Sequence, residues 1–375
     1  MPHTDAFYHW SDRVQALFPD LRPHHRRALA EYSFGLVLAR CCGLSSVVAH
    51  LAGFLALSAH ALRQRLRELY QPAAAQRGCA RSEFDHALCF GPLARWAAAG
   101  HKDRRLVLAL DPTCLTDRFR VLCAAVLYRG CGLPVAWAVQ AADQKGAWND
   151  VWKDLLGRVR EALGPGWAVL VLTDRGLESK ELFGAITALG WHPLMRAKAA
   201  GQFRPAGWHK GHAMRRFAAA EGRRWAGAGV AYPSSGRLRC TLLASWEAGH
   251  AEPWLILTDL APGSADPAWY AWRMWVEQGF RAIKRGQWQW QRTRMADPAR
   301  AARLWAVLAL ASLWAVEVGG EGAVPALGAL RSGLLRLLLA LLRGEPLPRG
   351  RLEQQAWPEP DGRADPLCEP LIDQC

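Results

Sequence analysis

The sequence predicts an α/β protein: a mixed sheet with flanking helices, a helical N-terminal domain before it and a β-rich insertion within it. Three observations carry that reading. Between residues 104 and 198, short apolar runs alternate with amphipathic segments, which is how a sheet with helices on its faces reads. Residues 1–103 keep a helical periodicity. Residues 199–262 mix Gly-rich turns with short apolar runs at 239–244 and 254–258, a β-rich pattern.

In the N-terminal part, residues 45–52 and 58–67 read as the two helices of a helix-turn-helix joined at 53–57, with Ser45 and Ser58 as N-caps. The second helix sets Arg63, Gln64 and Arg67 opposite Leu62, Leu66 and Leu69. A major-groove helix presents such a face, so Arg63 and Arg67 are candidate DNA contacts. An ordinary amphipathic helix in a small bundle presents it too. Residues 71–103 read as a connector with one or two helices.

From 104 onward the elements follow in order. Residues 105–111, 119–128 and 133–140 read as strands, and Gly130 and Gly132 mark a hairpin turn between the last two. Residues 148–163 read as a helix with Trp152, Leu155, Leu156, Val159 and Leu163 on one face, ended by Gly164-Pro165-Gly166. The run 167–174 is nearly all apolar up to its final residues, as a central strand buried on both faces should be. Residues 178–189 then read as a helix and 192–198 as a fifth strand. Beyond the insertion come a long helix over 267–285, an apolar one over 298–316 and another over 326–343. The expected organisation is a helical, DNA-end-binding domain at 1–103, a core at 104–198 and 263–343, the insertion at 199–262, and a loose Pro-rich tail at 344–375.

Composition bounds the function. The chain has 375 residues, 51% of them apolar and 21% charged, which excludes a disordered chain. A formal net charge of +14 favours an anionic partner, and nucleic acid is the commonest. The 19 Trp must include many core residues, and some can stack on bases. The 10 Cys form no CxxC pair and read as reduced thiols in a cytosolic protein. The N-terminus lacks a signal-peptide pattern. The apolar stretches 304–316 and 334–342 are short of a membrane span, and Arg336 breaks the second, so both read as buried helices.

Three acids carry the chemistry. Asp111 and Asp174 each close an apolar run, and such a carboxylate is costly unless charge meets it. Parallel, adjacent strands would bring both to one edge of the sheet. On a single α-helix, with Tyr270 at zero, Arg273 falls near 300°, Glu277 near 340°, Lys284 near 320° and Arg281 near 20° at about 100° per residue. One face then carries a carboxylate flanked by cations and a phenol. A solvated face of local ion pairs would look similar, but Trp272, Met274, Trp275 and Phe280 beside it argue for a packed helix. Arg196 and Lys198 on the fifth strand are further phosphate-contact candidates. Asp117, Asp143 and Asp150 are explained by surface pairing and capping.

These residues resemble a known family. Tyr270-x2-Arg273-x3-Glu277-x6-Lys284 resembles the Y-R-E-K signature of DDE transposases of bacterial insertion sequences. Leu108-Ala109-Leu110-Asp111-Pro112-Thr113 resembles their first catalytic block, and Leu172-Thr173-Asp174-Arg175-Gly176 their second. The resemblance covers residues 104–316. It implies an RNase H-like core, with Asp111, Asp174 and Glu277 as catalytic metal ligands for two Mg²⁺ ions, Mn²⁺ serving as a substitute. Tyr270, Arg273 and Lys284 would grip DNA phosphates, and Arg281, which extends their stripe, is a further DNA-contact candidate. The implied reaction cuts the element ends and joins the freed 3′-OH to target DNA. Trp208, Trp225 or Trp246 would stack a flipped base where a hairpin route is used. The implied partners are the terminal inverted repeats, target DNA and further copies of the chain, as a homodimer or higher oligomer. The implied setting is the bacterial cytoplasm, at the nucleoid and with no membrane. A domesticated nuclease with the same core, or a catalytically inactive DNA-binding regulator, are the alternatives.

Overall fold

The apolar runs of the sequence become strands in the computed structural model, which describes residues 2–77, 81–144, 146, 148–234, 236–320, 328–353 and 356–357. They are β1 (Arg105–Leu115), β2 (Phe119–Tyr128), β3 (Cys131–Ala141), β4 (Ala168–Thr173) and β5 (His192–Arg196). The 199–262 segment supplies β6 (Gln202–Pro205), β7 (His212–Ala213), β8 (Arg224–Ala231), β9 (Leu238–Ser245) and β10 (Trp254–Thr258). Among the described residues, the strand order is β3-β2-β1-β4-β5-β10-β9-β8-β6-β7. β1, β4 and β5 run parallel. β2 with β3, and the neighbours from β5 outward, pair antiparallel. This is the mixed sheet that the sequence predicts.

The helices are α1 (Pro2–Leu17), α2 (Pro23–Ala39), α3 (Leu44–Leu55), α4 (Ala59–Tyr70), α5 (Phe90–Ala98), α6 (Asn149–Leu163), α7 (Lys180–Ala188), α8 (Met274–Lys284), α9 (Pro298–Gly320) and α10 (Gly328–Arg343). The N-terminal region is helical, as expected. α10 begins at Gly328, and residues 326–327 of the expected helix lie outside the described residues.

Three expectations change in detail. β1 does not stop at Asp111 but runs on to Leu115. Pro112 has no N–H for a ladder and argues for an end, yet Thr113 and Leu115 keep their side chains buried. Second, the helix of 267–285 is two pieces: a 3-10 stretch, Pro267–Arg273, then α8. Third, Ser58 does cap α4, accepting from the amide of Ala61 at 3.4 Å. Ser45, however, lies inside α3, whose N-cap is Gly43. α3 also continues through Gly53, so the turn before α4 is only Ala56, Leu57 and Ser58.

The chain forms two compact units. The first is Met1–Arg104, Asp111–Gly166 and Met274–Gln355, and it takes the second half of β1 with β2 and β3. Its centre is α9, buried from Ala301 to Gly320. By length and composition α9 could cross a membrane; here Trp314 stacks on Trp10 at 3.8 Å and Trp305 packs beside Trp137 and Trp290. Buried charges are paired, as burial demands. Glu317 receives both Arg13 guanidinium nitrogens at 2.7 Å and the Trp96 indole at 2.8 Å. Glu31 receives Arg65 at 2.5 and 2.8 Å and Arg27 at 3.0 Å. Near the C-terminal end of this unit, Leu352 is buried and the amide of Glu353 donates to the Tyr128 hydroxyl at 3.0 Å. Most of the expected tail, including 358–375, lies outside the described residues.

The second unit is Arg105–Leu110, Trp167–Arg273 and Ala356–Cys375. β4 is buried from Val169 to Thr173, with β1 on one side and β5 on the other. Among its outer elements, Phe203, Phe217 and Trp225 make an aromatic cluster.

Candidate active site

Asp111 is buried within β1. Its charge reaches Cys123 on β2, whose thiol burial drives well above the ordinary range and Asp111 drives further. Lys284, at the end of α8, donates to the Cys114 carbonyl at 3.3 Å, three residues along β1 from Asp111. Burial holds its ammonium below the usual lysine range, while Cys114 and Asp111 pull the other way.

Glu277 lies in the first turn of α8 and is half-buried. Two glycines fix this helix. A Cβ on Gly132, at the start of β3, would stand 2.7 Å from the Val276 Cα, and one on Gly279 would strike the Gly132 carbonyl. Backbone therefore meets backbone, which only glycine permits. Arg281, on the same helix, is exposed.

In the second unit, Leu110 pairs with Thr173 across parallel β1 and β4. Asp174 follows Thr173 directly and its Oδ1 accepts from the amide of Gly176 at 2.9 Å, capping the 3-10 turn Arg175–Leu177. Arg273 brings a guanidinium nitrogen to 3.6 Å from the other carboxylate oxygen. Tyr270 is buried, and its hydroxyl donates to the Thr173 carbonyl at 3.1 Å. The phenol expected to face a phosphate thus holds the residue before Asp174. Tyr270 and Arg273 also belong to the 3-10 stretch, where residues advance about 120° each, so the single α-helical stripe does not form.

Arg196 bonds Glu252 at 2.9 Å, and Arg175 bonds the same carboxylate. Arg175, then Arg196 and Arg215, hold Glu252 below the usual carboxylate range. Sequence reasoning missed Glu252, and no signal marks it among the basic residues of 199–262. Lys198 is exposed, with its amide on Glu178 at 3.0 Å. Trp225 is packed among Phe203 and Phe217, Trp208 lies beside His212 and Phe217, and Trp246 donates to the His250 carbonyl at 2.8 Å. Arg63 and Arg67 are exposed on α4, opposite the buried Leu62, Leu66 and Leu69, as the sequence pattern requires.

Among the described residues, no group of three or more His, Cys, Asp or Glu lies close enough to hold a metal ion. Asp174 instead meets Arg273 and the Gly176 amide. The donor chemistry does suit a hard cation, since carboxylate oxygens are what Mg²⁺ takes.

The family model described as a transposase DDE domain matches residues 105–314, more than half of the chain. It begins with β1 and ends within α9. No curated protein matches the chain. Members of this family act on DNA and generally use divalent metal ions. The chain belongs to the transposase DDE domain family, and its function is of the transposase type.

Proposed function

We propose that this protein cuts DNA at element ends and joins the freed 3′-OH to target DNA, with Asp111, Asp174 and Glu277 as its catalytic acids. One observation carries the reading: Leu110 faces Thr173 in parallel register, and the next residue along each chain is an aspartate. α8, set against β3 through Gly132 and Gly279, carries Glu277, the proposed third acid.

The three carboxylates offer oxygen donors for Mg²⁺ or Mn²⁺, two ions per site. When bound, such ions offset the charge developing on the phosphoryl group and favour a deprotonated nucleophile. The residues of the chain do the positioning. Tyr270 steadies the end of β4 through the Thr173 carbonyl. Arg273 neutralises Asp174 until DNA arrives and then turns to a phosphate oxygen. Lys284 and Arg281 hold further phosphates from α8, and Arg196 and Lys198 do so from the end of β5. In cleavage, water adds across a P–O3′ bond and leaves a 3′-OH. In joining, that hydroxyl displaces a 3′ oxygen of the target strand, so one phosphodiester bond forms as another breaks. Positioning supplies much of the rate in such chemistry. The acting form is a homodimer or higher assembly that holds two ends.

The test is a Mg²⁺-dependent cleavage assay on the DNA flanking the gene, with wild type and Asp174→Asn. Asp174→Asn should abolish cleavage and leave end binding nearly intact. Equal loss of binding and cleavage would sink the catalytic assignment.

A further inference from the structure

A cleft of about 720 Å³ opens in the first unit between the start of α3, α4 and residues 292–300. Arg63, Arg292, Arg294 and Arg300 line it. Asp297, also in its wall, is turned to α9, where its Oδ1 accepts from the Arg300 amide at 2.8 Å. The opening therefore carries an excess of positive charge.

The cleft is built rather than incidental. Arg118 ties down one wall, donating to the carbonyls of Gln291 at 3.2 Å, Thr293 at 2.5 Å and Met295 at 2.9 Å. Arg63 is held along the other by a 3.2 Å bond to Ser45. Between them lies Tyr70, whose hydroxyl burial pushes above its usual range while Arg67, Arg300 and Arg63 pull it back. The Arg300 Nε is buried and has no hydrogen-bond partner among the described residues. The start of α3 adds amide donors, since Gly43 has no side chain to cap them.

We propose that this cleft holds backbone phosphates of duplex DNA, contacting the strand without reading its bases. The inference rests on the reading of the protein as DNA-acting. It also reassigns Arg63. A groove-reading arginine projects freely towards base edges, whereas Arg63 lies against Ser45 and joins arginines from a distant stretch of the chain. Convergent guanidinium groups and amides suit phosphate oxygens.

The experiment uses the full chain and a fluorescently labelled duplex of unrelated sequence, titrated over a salt series. Arg292→Ala/Arg294→Ala removes two exposed charges and should weaken binding roughly tenfold, lowering the slope of log K against log salt by about 2. Arg292→Lys/Arg294→Lys should restore most of the affinity, and that rescue excludes misfolding as the cause. Unchanged affinity and slope in the Ala variant would overturn the proposal. So would a loss confined to element-end DNA, which would mean base reading. Protection from urea by inorganic phosphate without any change in duplex binding would assign the cleft to a small anion and overturn it equally. If the wild-type chain binds no duplex at all, the DNA-acting function itself fails; if it binds and the variants match it, only the cleft does.

Discussion

Gly132 and Gly279 touch through their backbones, so α8 lies on the start of β3 with no side chain between them. The contact sets the height of Glu277, two residues before Gly279, above the hairpin. Gly132→Ala should push α8 outward, because its new methyl would stand 2.7 Å from the Val276 Cα. Overpacking of this kind costs about 1–3 kcal/mol. Urea denaturation should record that loss, and strand cleavage should fall further than stability alone explains. Wild-type cleavage in a folded Gly132→Ala would detach Glu277 from the site.

Tyr270→Phe keeps the ring in place and removes the hydroxyl that donates to Thr173 at 3.1 Å. Stability should drop by about 1 kcal/mol, the net worth of one such bond plus an acceptor left unpaired. Cleavage should slow while the salt dependence of DNA binding stays unchanged. A smaller salt slope would instead make the phenol a direct phosphate contact.

The Glu31–Arg65 pair couples α2 to α4. Glu31 is buried at 1% exposure, so removing Arg65 leaves this core charge with only the exposed Arg27 as its cation. Arg65→Ala should therefore destabilise the protein by about 3 kcal/mol. Hydrogen exchange should accelerate first in α4, whose apolar face alone remains to hold it. If α4 exchanges as slowly as before, Arg27 compensates fully.

His25 contributes a pH dependence to the N-terminal helices, beside His24, whose pKa burial also lowers. Burial lowers its pKa to about 4, helped by the charges of His24 and Arg22 and opposed by its bond to the Ser82 carbonyl. The unfolded chain takes up the proton near the ordinary value of 6.5, whereas the folded chain holds it off until about 4. Stability is thus complete above pH 6.5, falls between 6.5 and 4, and levels off below. The loss is on the order of 2 kcal/mol, reduced by the open cleft that borders the ring. His25→Gln should make the fall of thermal stability across that window shallower; an unchanged slope would place the effect elsewhere.

Much of this was legible in the sequence because it is local. The apolar run 119–128 yields β2 to the residue, and Trp152, Leu155, Leu156 and Val159 do bury the face of α6 that their spacing implies. Asp111 and Asp174 stand out in the sequence because each carboxylate closes an apolar run. Other features depend on distant partners. Tyr270 meets Thr173 across 97 residues, and a helical wheel cannot show that the phenol turns inward. Nor can it show where 3-10 geometry gives way to α at Arg273 and Met274. The strand read as ending at Asp111 runs on to Leu115, where Thr113 and Leu115 are buried by packing. The arginine cleft joins residue 63 to residues 292–300, with no sequence pattern to announce it.

The stacking of Trp10 on Trp314 and the ion pair of Arg13 with Glu317 tie the first helix to a late one, which bears on folding at the ribosome. Domains generally fold from the N-terminus as they emerge, at about 5–20 residues per second. The first helices of this chain must wait for α9, some 300 residues later, before their tryptophan and arginine find partners. Synthesis of that interval takes roughly 15–60 seconds at such rates. A chain that has not yet reached α9 is therefore left with exposed aromatic surface and an unfinished arginine cleft.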